Sequence, residues 1–369
     1  MIQKPISFQR LANLFLVIVL GFIILKQGKF FLGPLAFSIL FTIMLQPLSH
    51  FFQRLVKYKI PAILLTLLTV TVGLSIVVTL FSVQLTVIIN DLENITGKIS
   101  EGLQKIFEWL NTNFKLKSSF DMNGSNLMEN IPQLADNTLA FAQKGISSVT
   151  TFIFNLFLIL LLVFFFLWYQ ENFKKFLLIQ APKEKKENIN AILQKIQGTI
   201  QKYLYGLLIV IAILAVLNSV GLLIIGVRYA VFWGLLAAFL AVIPYIGTTL
   251  GGTLPFLYAL ATTDTWWQPA AVAAMYFIIQ QLEGNIITPK VVGSSVSINP
   301  LFALIAIILG GFIWGITGIL IAIPAIGVVK IILDNNNRTK PLAFLLSNEM
   351  HKKNETFWKK MDKEEHRLK

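Results

Sequence analysis

The 369-residue chain is 56% apolar and only 13% charged, with a net charge of +13 and a mean hydropathy of +0.72. Soluble domains carry nearer a quarter charged residues, which argues against a single water-soluble core. There is no cysteine, so disulfide and thiol chemistry are excluded. The basic balance fits lysines and arginines that hold loops in the cytoplasm, not a nucleic-acid surface.

The runs "LANLFLVIVLGFIIL" (11–25), "AILLTLLTVTVGLSIVVTLFSV" (62–83) and "VTTFIFNLFLILLLVFFFLWY" (149–169) match the roughly 20 apolar residues that a bilayer crossing needs. The fold class expected is therefore all-α: a polytopic helical membrane protein. "KQGKF" follows the first run where a small-residue cleavage site would stand in a signal peptide, so this run is taken as a retained helix. Four membrane helices are predicted before residue 171, at 11–25, 30–49, 61–85 and 148–169.

Charge sets the expected orientation. Segment 84–147 nets −2, whereas 171–202 and the tail 330–369 each net +4, and Arg54, Lys57 and Lys59 make the loop at 50–60 basic. The positive-inside rule puts both termini, 50–60 and 171–202 in the cytoplasm and 84–147 outside. The organisation that follows has membrane helices 1–3 in 1–85, an extracytoplasmic helical insertion in 86–147 and membrane helix 4 in 148–170. A cytoplasmic amphipathic helix occupies 171–202, a C-terminal transport-type membrane region 203–333, and a basic cytoplasmic tail 334–369. A bacterial inner (cell) membrane location is expected.

In the outer insertion, Ile88, Leu92, Ile95, Ile99, Leu103, Ile106 and Leu110 recur at spacings of three and four, one apolar stripe on a helix. A second helix, 125–146, would fold back on it, and the stripe serves either their packing or a contact between protomers. In the cytoplasmic segment Pro182 starts a helix that reaches the next membrane run. Ile189, Ile192, Leu193, Ile196 and Ile200 share one of its faces, which suits a helix at the membrane surface or packed under the bundle.

Two helices, 203–226 and 229–246, come next, and then the chain changes character. Between 234 and 327 lie six prolines (244, 255, 269, 289, 300, 324) and 11 glycines. An interior proline removes a donor and breaks or bends a helix, which lipid tolerates only where protein or a water-filled cavity covers the freed groups. Ten residues separate Pro244 from Pro255, about 15 Å of helix and half a membrane core. A re-entrant or half-length segment with Thr248, Thr249 and Thr253 available is favoured there, against a hairpin packed at Gly247 and Gly251. Segment 301–333 would reach about 50 Å as one helix; Gly310, Gly311, Gly315 and Gly318 offer breaks into two half-helices, and one long tilted helix is the alternative. About eight membrane segments and a cytoplasmic tail result if either 247–262 or 301–332 turns back. "AVIPYIG" (241–247) and "IAIPAIG" (321–327) also echo one another.

The wording here, "IPYIG" followed by Pro255, "EGNIITPKVVGSSVSINPL" (283–301) and "GGFIWGITGILIAIP" (310–324), resembles the autoinducer-2 exporter (permease-like) family. Glu283, Asn285, Pro289, Lys290, Pro300, Gly311, Gly315, Gly318 and Pro324 fall on the family pattern. Ala241 and Thr248 stand where similar proteins often carry Asn and Pro. The resemblance implies export of small solutes, autoinducer-2 being the named substrate. Some relatives are described as sodium(lithium)/proton antiporters, and homo-oligomers, with a pentamer as the candidate size, are implied.

The polar residues concentrate in "IIQQLEGNIITPKVVG" (278–293). On a continuous helix Gln281, Asn285 and Thr288 form one stripe, with Gln280 and Glu283 on a neighbouring face. Pro289 deprives the carbonyls near 285–288 of helical partners. Amides, hydroxyls and free carbonyls suit a polyhydroxylated solute; the same carbonyls with Glu283 suit Na⁺. If the helix starts near Pro269, Glu283 lies about 21 Å along it, some two-thirds across the core. There it either pairs with Lys290 structurally or handles solute or protons. His50, His351 and His366 build no metal site or nucleophile–base pair, so no enzyme, metal or cofactor is expected. The binding candidates are Gln280, Gln281, Glu283, Asn285, Thr288, Lys290, Thr248 and Thr249. The expected hinges or breaks are Pro244, Gly247, Pro255, Pro289, Pro300, Gly311, Gly315, Gly318 and Pro324. Three functions stay open: export of a small polar solute, Na⁺(Li⁺)/H⁺ antiport, and a non-transporting membrane scaffold.

Overall fold

The computed structural model describes residues 8–90, 154–243, 246–263, 265–292, 296–336 and 339–348. The predicted outer helices beyond residue 90 and the tail from 349 lie outside the described residues. Helices run in the order α1 (Phe8–Gln27), α2 (Lys29–Val56) and α3 (Lys59–Asn90), then α4 (Phe154–Gln180) and α5 (Lys186–Ile225). They continue with α6 (Ala230–Leu240), α7 (Ile246–Thr262), α8 (Trp267–Leu282), a π turn (Glu283–Ile287) and α9 (Thr288–Val291). Last come α10 (Pro300–Trp314), α11 (Ile316–Asp334) and α12 (Lys340–Leu345). Six spans among these are long and apolar enough to cross a membrane: α2, α3, α4, α5, α8 through α9, and α11. The protein is a polytopic helical membrane protein.

The amphipathic helix predicted before residue 203 and the membrane helix predicted after it prove to be one: α5 runs unbroken for 40 residues, with no proline inside it. A short 3₁₀ turn at Lys183–Lys185 precedes it, with Pro182 at the N-cap. By Cα proximity the chain forms two compact units built from separated stretches: residues 1–66, 158–205 and 294–369 in one, 67–157 and 206–293 in the other.

In the first unit, Pro47 sits inside α2 and cannot donate to the carbonyl of Ile43. Gln201 of α5 supplies the missing donor, its Nε2 at 2.8 Å from the Ile43 oxygen, and Tyr205 donates its hydroxyl to the Met44 carbonyl at 2.6 Å. Leu40, Ile200 and Ile321 form the core there, with Ile196 against them. Ile196 and Ile200, of the apolar face predicted at 189–200, thus pack with residues of α2 and α11.

Segment 300–334 is a helical hairpin. Gly315, with φ 63° and ψ −137°, occupies a backbone region open essentially to glycine alone, and the chain reverses there. Gly310 and Gly318 then lie so close that a Cβ on either would meet the other's carbonyl. Of the alternatives for 301–333, one long helix is not adopted: the segment breaks at Gly315 into helices of 15 and 19 residues, and the second is itself long and apolar enough to cross a membrane. Asn299 caps α10, its Oδ1 accepting from Leu301 N at 2.9 Å, and Pro300 takes the first helical position, where its missing N–H costs nothing. Trp314 Nε1 donates to the Leu25 carbonyl at 2.8 Å, tying the hairpin tip to α1. The loop before α10 is held by α11 and the C-terminal segment: Lys330 Nζ donates to the Ser297 carbonyl at 2.7 Å, and Ile298 pairs with Ser347.

In the second unit, Gly226 (φ 84°) and Tyr229 (φ 57°) turn the chain from α5 into α6. The expectation of a full helix over 229–246 is corrected: α6 has 11 residues, about 16 Å, and stops at Leu240. Pro244 explains this, since it disfavours helical geometry just before itself and cannot donate to Leu240. α7 folds back on α6, with Gly247 against the Leu240 carbonyl and Gly251 against Ala237. Leu222, Val227, Ala230, Tyr258, Ala259 and Val272 are the buried core joining α5 through α8.

Several of the positions expected as hinges or breaks do not end a helix. Gly311 lies inside α10, Gly318 and Pro324 inside α11 and Pro255 inside α7, and all three helices continue. The Pro255 and Pro324 rings are fully buried, so packing holds the flanking turns together despite one missing hydrogen bond each. The echo of "AVIPYIG" and "IAIPAIG" is therefore one of letters: the first joins two helices, the second lies within α11. Pro244 itself lies outside the described residues.

Candidate functional site

α8 begins in the exposed pair Trp266 and Trp267 and runs through alanines and apolar residues to Leu282, where the ladder changes pitch. Thr288 N–H bonds to the Glu283 carbonyl five residues back, giving a π turn over Glu283–Ile287. With Thr288 committed to Glu283, the Gly284 carbonyl loses its regular helical donor, and Pro289, next in the shifted register, brings no N–H to replace it. Such single π turns recur at functional sites.

The π turn divides the predicted polar residues between two faces. Glu283 is half-buried and Gln280 more open, and both line a narrow cavity of about 20 Å³ with Asn218 of α5, Tyr276 of α8 and Gly251 of α7. That volume suits one water-sized guest. Asn218 is only 3% exposed, and its Oδ1 has no hydrogen-bond partner among the described residues; the Tyr276 hydroxyl is likewise buried without one. A carboxylate, an unpaired amide oxygen and a phenol oxygen thus meet inside a membrane-length bundle, where unpaired polar groups are costly. Ile279, Leu214 and Ala241 supply apolar wall.

Gln281 and Asn285 sit on the exposed side, where Asn285 Nδ2 donates to Gln281 Oε1 at 3.1 Å. Thr288 is half-buried and Lys290 exposed. No ion pair joins Glu283 to Lys290 among the described residues, so of the alternatives for Glu283 the salt bridge with Lys290 is not formed. Thr249 is exposed on the first turn of α7, Thr253 donates its hydroxyl to the Thr249 carbonyl at 2.8 Å, and the Thr248 side chain lies outside the described residues.

Asn218 and Tyr276 escaped the sequence reading. The signal for Asn218 was present: a lone amide in the middle of "LLIVIAILAVLNSVGLLIIG" (207–226), where a polar side chain is expensive. Tyr276 carried no such mark, because a tyrosine beside apolar residues is ordinary core.

The profile of the AI-2E family transporters matches residues 13–338. The chain is 26% identical over 353 residues to the AI-2 transport protein TqsA of Escherichia coli K12, covering 93% of this chain and 98% of that one. It is 25% identical over 358 residues to YueF of Bacillus subtilis strain 168, a candidate transport protein by name, covering 89% and 93%. To YrrI of the same organism, similarly named, it is 31% identical over 196 residues, 53% of this chain and only 55% of YrrI.

Proposed function

The chain belongs to the AI-2E family of transporters, and from that premise we propose that it is a secondary transporter exporting a small polar solute of the autoinducer-2 type. The observation that carries this reading is the π turn at Glu283–Ile287, which ends the apolar run of α8 on amide side chains and a carbonyl without its regular donor. Single π turns within an otherwise continuous helix recur at functional sites, and irregular backbone in a membrane is tolerated where it lines a cavity. The end-to-end similarity to TqsA supports the solute class. In this reading the protein sits in a bacterial inner membrane with both termini cytoplasmic and works as a homo-oligomer, a pentamer being the candidate size. The test is efflux of autoinducer-2 from liposomes holding the purified protein. Gln281→Ala or Asn285→Ala should abolish it while membrane insertion persists. Unchanged efflux in both variants would remove this face from the transport path.

A second reading, Na⁺(Li⁺)/H⁺ exchange, is favoured by the one-water cavity of Glu283, Asn218 and Tyr276. Hard cations prefer carboxylate, carbonyl and water oxygens. Glu283→Gln would stop Na⁺-driven proton movement in the same vesicles; exchange with an unaltered pH profile would sink the idea.

A further inference from the structure

The first unit holds a second and much larger cavity, about 460 Å³, between α2, α4 and α5. Its volume falls within the roughly 300–1,000 Å³ of small-molecule sites, whereas the space beside Glu283 takes about 20 Å³. Gln46 and His50, one turn apart on α2, face Gln170 and Lys174, one turn apart on α4; Gln197 of α5, Glu171 and Thr42 are the other polar lining residues, the Thr42 hydroxyl being donated to the Ser38 carbonyl at 2.7 Å. Ile43, Phe166 and Leu193 are among the apolar remainder.

We propose that this cavity binds a small, uncharged, polyhydroxylated solute, as a site on its way through the protein; the proposal rests on the transport reading above. The hydrogen-bond inventory carries the choice of ligand. Gln197 Nε2 donates to Gln46 Oε1 at 2.6 Å, which leaves the Gln46 NH₂ as donor and Gln197 Oε1 as acceptor. Gln170 Nε2 lies 3.5 Å from His50 Nε2, leaving Gln170 Oε1 as a further acceptor. A wall that mixes donors and acceptors matches hydroxyl groups, which do both. Glu171 and Lys174 make no ion pair among the described residues and oppose one another in sign, so the cavity selects neither anion nor cation. The apolar wall takes the C–H face of a sugar-like ring, and the paired amides hold one another in place before the ligand arrives, which reduces the ordering cost of binding.

The absence of cysteine makes a direct test available. Leu177 lines the cavity and is 46% exposed, so Leu177→Cys places a single reportable thiol at the rim without touching the polar set. Maleimide labelling of this full-length variant in nanodiscs is expected to slow in millimolar D-ribose, and much less in D-ribose 5-phosphate or spermidine. Adding Gln46→Leu or Gln170→Leu should raise the D-ribose concentration for half-protection about 3- to 10-fold, the worth of a neutral hydrogen bond. Equal protection by all three probes, no protection by D-ribose, or protection that follows added phosphatidylglycerol instead would overturn the proposal. Protection without flux in liposomes upholds the cavity and removes the transport reading. Flux without protection does the reverse.

Discussion

Replacing Asn218 by leucine should make the protein more stable and less active. Asn218 is 3% exposed with Oδ1 unpaired, and leaving such a group buried costs about 1–3 kcal/mol. Leucine has nearly the same size and shape and carries no polar atom, so the core of Val210, Leu214, Ala238 and Ile279 around α5 need not rearrange. The expected gain is the whole of that penalty, a 5- to 150-fold shift toward the folded state at about 1.4 kcal/mol per tenfold. Asn218→Ala removes the same penalty but opens a void beside the existing cavity, and large-to-small loss in a core offsets the gain. The assay is an SDS titration in dodecyl maltoside micelles followed by far-UV circular dichroism, alongside flux in liposomes. Higher stability with lost flux is the signature of a group kept for function at a cost in folding. If Asn218→Leu unfolds at lower SDS than the parent, the amide is satisfied in the membrane and the reasoning fails. Unchanged flux would separate Asn218 from transport.

Three further predictions concern the first unit. Gly315→Ala should destabilise by about 1–3 kcal/mol through backbone strain alone, since nothing lies within 4 Å of the added Cβ. Gly318→Ala should cost about 1–3 kcal/mol for the opposite reason, a methyl forced against the Gly310 carbonyl; the SDS titration reads both, and values within 0.5 kcal/mol of the parent would refute the hairpin geometry. Gln201→Leu should cost about 1–3 kcal/mol by stranding the Ile43 carbonyl. In a Pro47→Ala background, where residue 47 regains its N–H, the same change should cost much less, and a double-mutant cycle with no coupling would disprove the assignment.

Amino-acid order alone establishes that this is a bundle of membrane helices and where most of them run. Hydropathy and proline chemistry are local, so α1 to α5 and the polar concentration at 278–293 were legible from spacing alone. Gln280 and Glu283 stood out because charge and amide are expensive in an apolar run. Three things depended on tertiary structure. The choice of Gly315 as the reversal point needed the close approach of Gly310 and Gly318, a contact eight residues apart that no window of composition ranks above its neighbours. Pro255 and Pro324 looked like breaks and are not, because burial rather than propensity decides whether a helix survives its proline. Asn218 and Tyr276 join Glu283 only because α5 and α8 pack with particular faces inward, and the π turn then sends Gln281 and Asn285 to the other side. Periodicity states which residues of one helix share a face; which faces of distant helices meet is settled by packing, where each contact depends on all the others.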